Sequence, residues 1–336
     1  MKKFFALAMA AVMACALLAG CGSQSAPTGS EGASGTPAPS GGATKLTFTT
    51  GGSQGTYYGY GSVLAQYVSG KTDVSITAVE SGGSQANIET MQDNAAQLGF
   101  VQSDVMSYAY EGTNLFAETG KVDTFSTVAA LYKEQVQIVT LDETIKTVAD
   151  LKGKSVSIGA SGSGVYYNAL DILGVYGLTE DDIKPTYQSF GDSADALQDG
   201  KIDAAFVVAG APTTAISSLT TSKDVYLVSI DKEHTDKLLA QSPYYVEYTI
   251  PAGTYDGIDT DTTTVAVGAV IIANNDVSED AVYKLVSTIF ESTEEITAQH
   301  AKGGELDLEY AASITSVPYH PGAAKYFAEK GLTVAS

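Results

Sequence analysis

Leu46-Thr47-Phe48-Thr49-Thr50-Gly51-Gly52-Ser53-Gln54-Gly55-Thr56-Tyr57-Tyr58 reads as a short strand, a Gly/Ser loop and the opening of a helix. The helical pattern continues through Val63, Leu64, Tyr67 and Val68 and stops at Gly70. A second strand, Val74 to Glu80, runs into Ser81-Gly82-Gly83-Ser84 and a helix from Gln85 to Gln92, and a third strand follows over Gln97 to Gln102. The unit then recurs. Val156-Ser157-Ile158-Gly159 leads into Ala160-Ser161-Gly162-Ser163-Gly164-Val165-Tyr166-Tyr167, which puts Tyr57 and Tyr166 109 positions apart. Asp93 to Val101 is echoed by Asp199 to Val207 at a spacing of 106, and the loops before them, Ser81 to Ser84 and Ser189 to Ser193, also correspond. Strands that feed helices through Gly/Ser loops make an α/β sheet with its loops at the strand C-termini, and the ordered repeat predicts two such domains.

Facing each other, those loops would line a cleft with amide donors, since a helix N-terminus carries unpaired N–H groups and the positive end of its dipole. Gly and Ser at such turns also serve the turn and the N-cap alone, so a single loop decides little. Gly51, Gly52 and Gly55 lack the dinucleotide spacing, and no Gly-Lys-Ser/Thr follows to make a phosphate loop. The paired set nominates Ser53, Gln54, Gly55, Thr56, Ser81, Gly83, Ser84, Asn87 and Gln102 from one domain and Ser161, Gly162, Ser163, Gly164 and Val165 from the other. Neighbouring helical side chains diverge by about 100°, so one tyrosine of each pair, Tyr57 and Tyr166, is expected to wall the ligand. Asp104, just past a strand end, either caps the next helix or accepts a ligand ammonium.

The 336 residues include 39 acids against 18 basic residues, all of them lysine, for a net charge of −21. Without arginine, a bound anion must be held by backbone amides, hydroxyls, carboxamides or lysine. A chain this acidic is a poor partner for nucleic acid.

The N-terminus places the protein. Lys2 and Lys3 precede an apolar run from Phe4 to Leu18 that is too short for a membrane span, so residues 1–20 read as a secretory signal. It ends in Leu18-Ala19-Gly20-Cys21, which resembles a bacterial lipobox and makes Cys21 the lipidated first residue of the mature chain. Cys15 leaves with the signal, so the mature domain has no thiol for a disulfide, zinc site or nucleophile. Residues 22–44 hold only Gly, Ser, Ala, Thr and Pro apart from Gln24 and Glu31 and read as a flexible tether. Its random-coil reach is about 25–29 Å. A membrane-anchored extracytoplasmic domain follows, expected as a monomer.

No nucleophile elbow with a His partner is evident, and His234, His300 and His320 are scattered, so no catalytic residue is nominated. The acids are dispersed, and neither a metal site nor a cofactor is expected.

Thr50 to Tyr58, Ser81 to Ser84 and Val101 to Asp104 together resemble the TAXI family of solute-binding proteins of tripartite ATP-independent periplasmic (TRAP) transporters. Asp150 to Lys154, Gly159 to Gly164, Ile250 to Tyr255 and Val317 to Tyr326 agree in order, so the resemblance spans nearly all the chain from Lys45. It implies a two-lobed, type II periplasmic-binding-protein fold that closes on a small organic acid or amino acid, similar to glutamate, glutamine or 2-oxoglutarate. The solute would pass to the membrane subunits of an ion-coupled TRAP permease. The implied lobes are 45–137 with 262–336, and 138–261, crossing near Gln135–Val139 and Thr262–Ala269. The better known TRAP branch pins its acid with arginine, and this chain has none. The binding protein of an ATP-driven importer is the near alternative. A surface adhesin or immunogenic lipoprotein without transport, and an anchored hydrolase, are the alternatives of other classes.

Overall fold

The computed structural model describes residues 44–336; the signal segment, Cys21 and the tether up to 43 lie outside the described residues. Ten strands form one mixed sheet: β1 Thr44–Thr49, β2 Val74–Val79, β3 Leu98–Gln102, β4 Phe125–Thr140, β5 Ser155–Ser157, β6 Lys184–Thr186, β7 Ala204–Ala209, β8 Tyr226–Val228, β9 Val246–Ile250 and β10 Thr262–Asn274. The helices are α1 Thr56–Lys71, α2 Ser84–Gln92, α3 Ser103–Glu111, α4 Val165–Val175, α5 Phe190–Gln198, α6 Thr214–Thr220, α7 Lys232–Gln241, α8 Glu279–Glu291, α9 Thr293–Thr297, α10 Leu308–Ala311 and α11 Pro321–Glu329.

The sheet runs β2-β1-β3-β10-β4-β7-β5-β6, with β8 on β4 and β9 on β10. In the first half β1 pairs in parallel with β2 and β3, and β3 pairs antiparallel with β10. The second half repeats this: β5 pairs in parallel with β6 and β7, and β7 pairs antiparallel with β4. The repeat read from the Gly/Ser loops is therefore a repeat of topology. β1-α1-β2 answers β5-α4-β6, and α2-β3 answers α5-β7.

Helices cover both faces, which is why β7 and the Val265–Ala273 stretch of β10 carry apolar residues on both sides. Along β10, Ala269, Ile271 and Ala273 join the core under α1, α8 and α11, while Val270 and Ile272 join the core under α2 and α3. Along β7, Ala204, Phe206 and Val208 face the α4 side and Ala205, Val207 and Ala209 the α5 and α6 side.

Two glycines carry opposite expectations for stability. At Gly322, where α11 meets α8, an added Cβ would lie 2.2 Å from the Glu279 carbonyl oxygen and 2.8 Å from the Tyr283 amide nitrogen, both backbone atoms that cannot turn away. Gly70, inside α1, has open space around it. Urea unfolding should show Gly322→Ala losing about 1–3 kcal/mol through overpacking. Gly70→Ala should gain about 0.5–1 kcal/mol from helix propensity alone.

Candidate ligand-binding cleft

The strand-to-helix loops of the two halves meet over a cavity of about 70 Å³. In the first half, Ser81 N–H donates to the Gly51 carbonyl at 3.2 Å and Gly55 N–H to the Gly52 carbonyl at 2.9 Å, which folds the 50–55 loop against the 80–84 loop. The helices α1, α2 and α4 have Gly55, Gly83 and Gly164 at their N-caps and no side chain bonded to their first-turn amides. α3 and α6 also lack a side-chain cap, whereas α7 and α8 are capped by Asp231 and Ser278, and α5 by Ser189, which lines the same cavity. At the cavity, α2 gives its Ala86 amide to the Gly162 carbonyl, while the first amides of α1 and α4 bond to no side chain and can serve a bound group.

Gly55, Thr56, Tyr57, Ser81, Gly83, Ser84, Gln102, Ser163, Gly164 and Val165 all line the cavity. Two of them carry buried oxygens without a partner, Gln102 Oε1 and Ser163 Oγ. Buried polar atoms are nearly always bonded, and these two are the unpartnered ones that belong to residues of the cavity lining. The other nominated residues lie elsewhere. Ser53, Gln54 and Ser161 are exposed, and Gly162 accepts the Ala86 amide at 3.1 Å. Asn87 is buried, accepting from the Thr49 hydroxyl and donating to the Thr50 and Phe100 carbonyls, so it braces the loop from beneath. Tyr166 donates to Glu180 at 2.9 Å, and the apolar wall on that side is Val165, Phe190 and Val208.

The cavity also contains an acid that the loop pattern did not reveal. Glu134, on β4, lines it while only 2% exposed and accepts the Tyr57 hydroxyl at 2.7 Å. Tyr57 is held for this by stacking on Phe100, ring centroids 4.6 Å apart. Burial raises the Glu134 carboxyl well above the usual carboxylate range, against the lowering pull of Tyr57, with Asp104 raising it and Lys302 lowering it further. Gln188, Ser189 and Phe190 were also missed, although the correspondence of Ser189–Ser193 with Ser81–Ser84 pointed at them. Asp104 is fully buried outside the cavity lining, in the first turn of α3, and accepts Asn168 Nδ2 at 2.8 Å.

The halves are drawn together around this cavity. Thr56 Oγ1 donates to the Gly210 carbonyl at 2.9 Å, and Ala215 N–H to the Gln54 carbonyl at 3.2 Å. Gly164 packs so tightly on Gln102 that a Cβ there would fall 1.8 Å from Gln102 Oε1. The three histidines lie away from the cavity: His320 caps α11 and bonds Val277, His300 packs on Tyr60, and His234 stacks on Tyr176. Among the described residues no group of three or more His, Cys, Asp or Glu could hold a metal, and no helix is long and apolar enough to cross a membrane.

A duplicated α/β half, joined by two exchanged antiparallel strands around an interlobe cavity, is the type II periplasmic-binding-protein-like fold. The chain belongs to the NMT1-like family, matched over residues 48–331. Among solved structures it is similar to a protein of Bordetella bronchiseptica RB50 at 15% identity, covering 84% of this chain and 88% of that one, with a TM-score of 0.51. The alkanesulfonate-binding protein SsuA from Xanthomonas axonopodis pv. citri, bound to MOPS, matches at 16% identity, 84% and 83% coverage and a TM-score of 0.47. The GluR0 ligand-binding core from Nostoc punctiforme, in complex with L-glutamate, matches at 15%, 77% and 99% coverage and 0.46.

A carboxyl raised by burial opposes folding when it is charged. That cost is fully present above its folded-state pKa and vanishes below its unfolded-state pKa, so stability falls as pH rises through the window. Glu134→Gln keeps an acceptor for Tyr57 and removes the charge. Its thermal midpoint at neutral pH should exceed that of the native protein, and the difference should shrink on acidification; a lower midpoint at neutral pH would contradict the assignment.

Proposed function

We propose that the protein is an extracytoplasmic solute-binding lipoprotein, anchored through Cys21, that closes on an α-amino acid of the glutamate or glutamine type. The observation that carries this reading is the pairing of Glu134 with uncapped helix ends in one cavity. The amides and the Ser163 hydroxyl offer donors for a carboxylate; Glu134 and Gln102 Oε1 offer acceptors for an ammonium. A solute carrying both groups satisfies both ends. At roughly 10–15 Å³ per water-sized site, the cavity suits a small solute and not a peptide.

In this proposal residues 45–137 with 262–336, and 138–261, are the two lobes, and they swing about the crossings in β4 and β10. Contacts made only when the lobes are shut, such as Thr56 with Gly210, shift the equilibrium toward the closed form, and closure presents a surface to the permease. The TAXI resemblance supports a TRAP permease as the recipient. The same fold serves ATP-driven importers, and a neighbouring gene for a nucleotide-binding subunit would assign it there.

Calorimetric titration with L-glutamate, L-glutamine and 2-oxoglutarate tests the ligand class. An amino acid should bind at least about tenfold more tightly than the 2-oxo acid, the scale of one charge-assisted buried hydrogen bond. Glu134→Gln should erase that preference, and Ser163→Ala and Tyr57→Ala should each weaken binding. Equal affinity for the 2-oxo acid, with Glu134→Gln indifferent, would sink the amino-acid reading. No binding of any small molecule would favour the adhesin.

A further inference from the structure

Behind the cavity, one carboxylate is shut between the two halves with too few partners. Asp104 comes from α3 of the first half and is 0% exposed. Asn168, also 0% exposed, comes from α4 of the second half and donates from Nδ2 to Asp104 Oδ2 and to the Tyr245 hydroxyl, both at 2.8 Å. Tyr245 in turn donates to Asp171 at 2.9 Å. The remaining oxygens of the contact, Asp104 Oδ1 and Asn168 Oδ1, are both buried and unpartnered. Both are acceptors, so neither can satisfy the other.

We propose that Asp104 is a protonation site that latches the two halves, taking one proton from solvent when they close and releasing it when they part. An O–H formed on Asp104 supplies the missing donor, and Asn168 Oδ1 is the acceptor that lacks one. Acid and carboxamide then pair through two hydrogen bonds across the interface, and no buried charge remains.

The surroundings agree. The titratable groups within electrostatic reach of Asp104 are Tyr108 on α3, Asp171 on α4, Glu134 on β4, and Tyr244 and Tyr245 before β9. Burial raises Asp104 to about 6, overriding the lowering by Asn168 and the Val105 amide, with Asp171 adding to the rise. When the halves part, water reaches Asp104 and the ordinary carboxyl range returns. The closed form therefore binds the proton more tightly, and closure gains as pH falls from about 6 toward about 4 and is unaffected well above that window.

This inference rests on the reading that the halves open and close. Small-angle scattering without ligand, and calorimetry with L-glutamine, whose side chain does not titrate, can be run on the full chain from pH 7.5 to 5. Native protein and Asp104→Asn, which carries a permanent donor at that position, are compared. The native protein should compact on acidification while Asp104→Asn is compact throughout. The native affinity relative to Asp104→Asn should rise about tenfold across that range, the linkage expected for this separation of pKa values. Asn168→Asp, which sets a second acid against the first, should move the native transition to higher pH. Identical pH profiles in native protein and Asp104→Asn overturn the proposal, as does closure that follows sodium concentration instead of pH. A scattering difference with no L-glutamine binding at any pH would sink the amino-acid reading and leave the proton site standing. L-Glutamine binding with identical pH dependence in the two proteins would do the reverse.

Discussion

Gln135 pairs on both edges of its strand, with Ala266 of β10 and with Ala209 of β7. At that residue β4 passes from the antiparallel partner of one half to that of the other, and the two halves are one sheet because of it. The register there also settles what lies between them. Glu134 and Tyr132 fall just before the exchange, Gly210 just after the end of β7, and the loops of both halves end around the same point. A one-residue slip would turn Glu134 away from the cavity and put its neighbour there.

Much of this was readable because the residues concerned answer to local rules. The Gly/Ser loops between strands and helices have turn chemistry that shows in composition, and their repetition in order exposes the doubled topology. Gly55, Ser84, Ser163 and Gly164 reached the cavity for that reason. Glu134 was not readable. In β4 every residue but Ser126 and Lys133 is buried, so the two-residue alternation that would mark an inward side chain is absent. Lys133-Glu134 looks like an exposed charged pair until the covering of both sheet faces is known. Neither Tyr166 nor Tyr167 lines the cavity, for a related reason: helical geometry says only that neighbours diverge, and tertiary packing, for Tyr166 on Glu180, decides where each ring goes.

The absence of arginine takes on a different sense beside Glu134. Taken with the loops alone, it points to an anion held by helix ends. With a carboxyl at the cavity wall, the cleft offers opposite chemistry at its two ends, and an arginine fork close by would tend to pair with Glu134 before any solute could. Lys302, buried with its ammonium over the Tyr132 ring and paired to Glu305, lowers Glu134 without occupying the cavity.

The central claim is that Glu134 and the uncapped helix ends hold the two ends of one solute. A crystal structure of the protein with its bound amino acid tests it most directly. The ammonium should lie within hydrogen-bond distance of Glu134 and the carboxylate against the amides that open α1 and α4. A solute bound with its carboxylate toward Glu134, or outside this cavity, would contradict it.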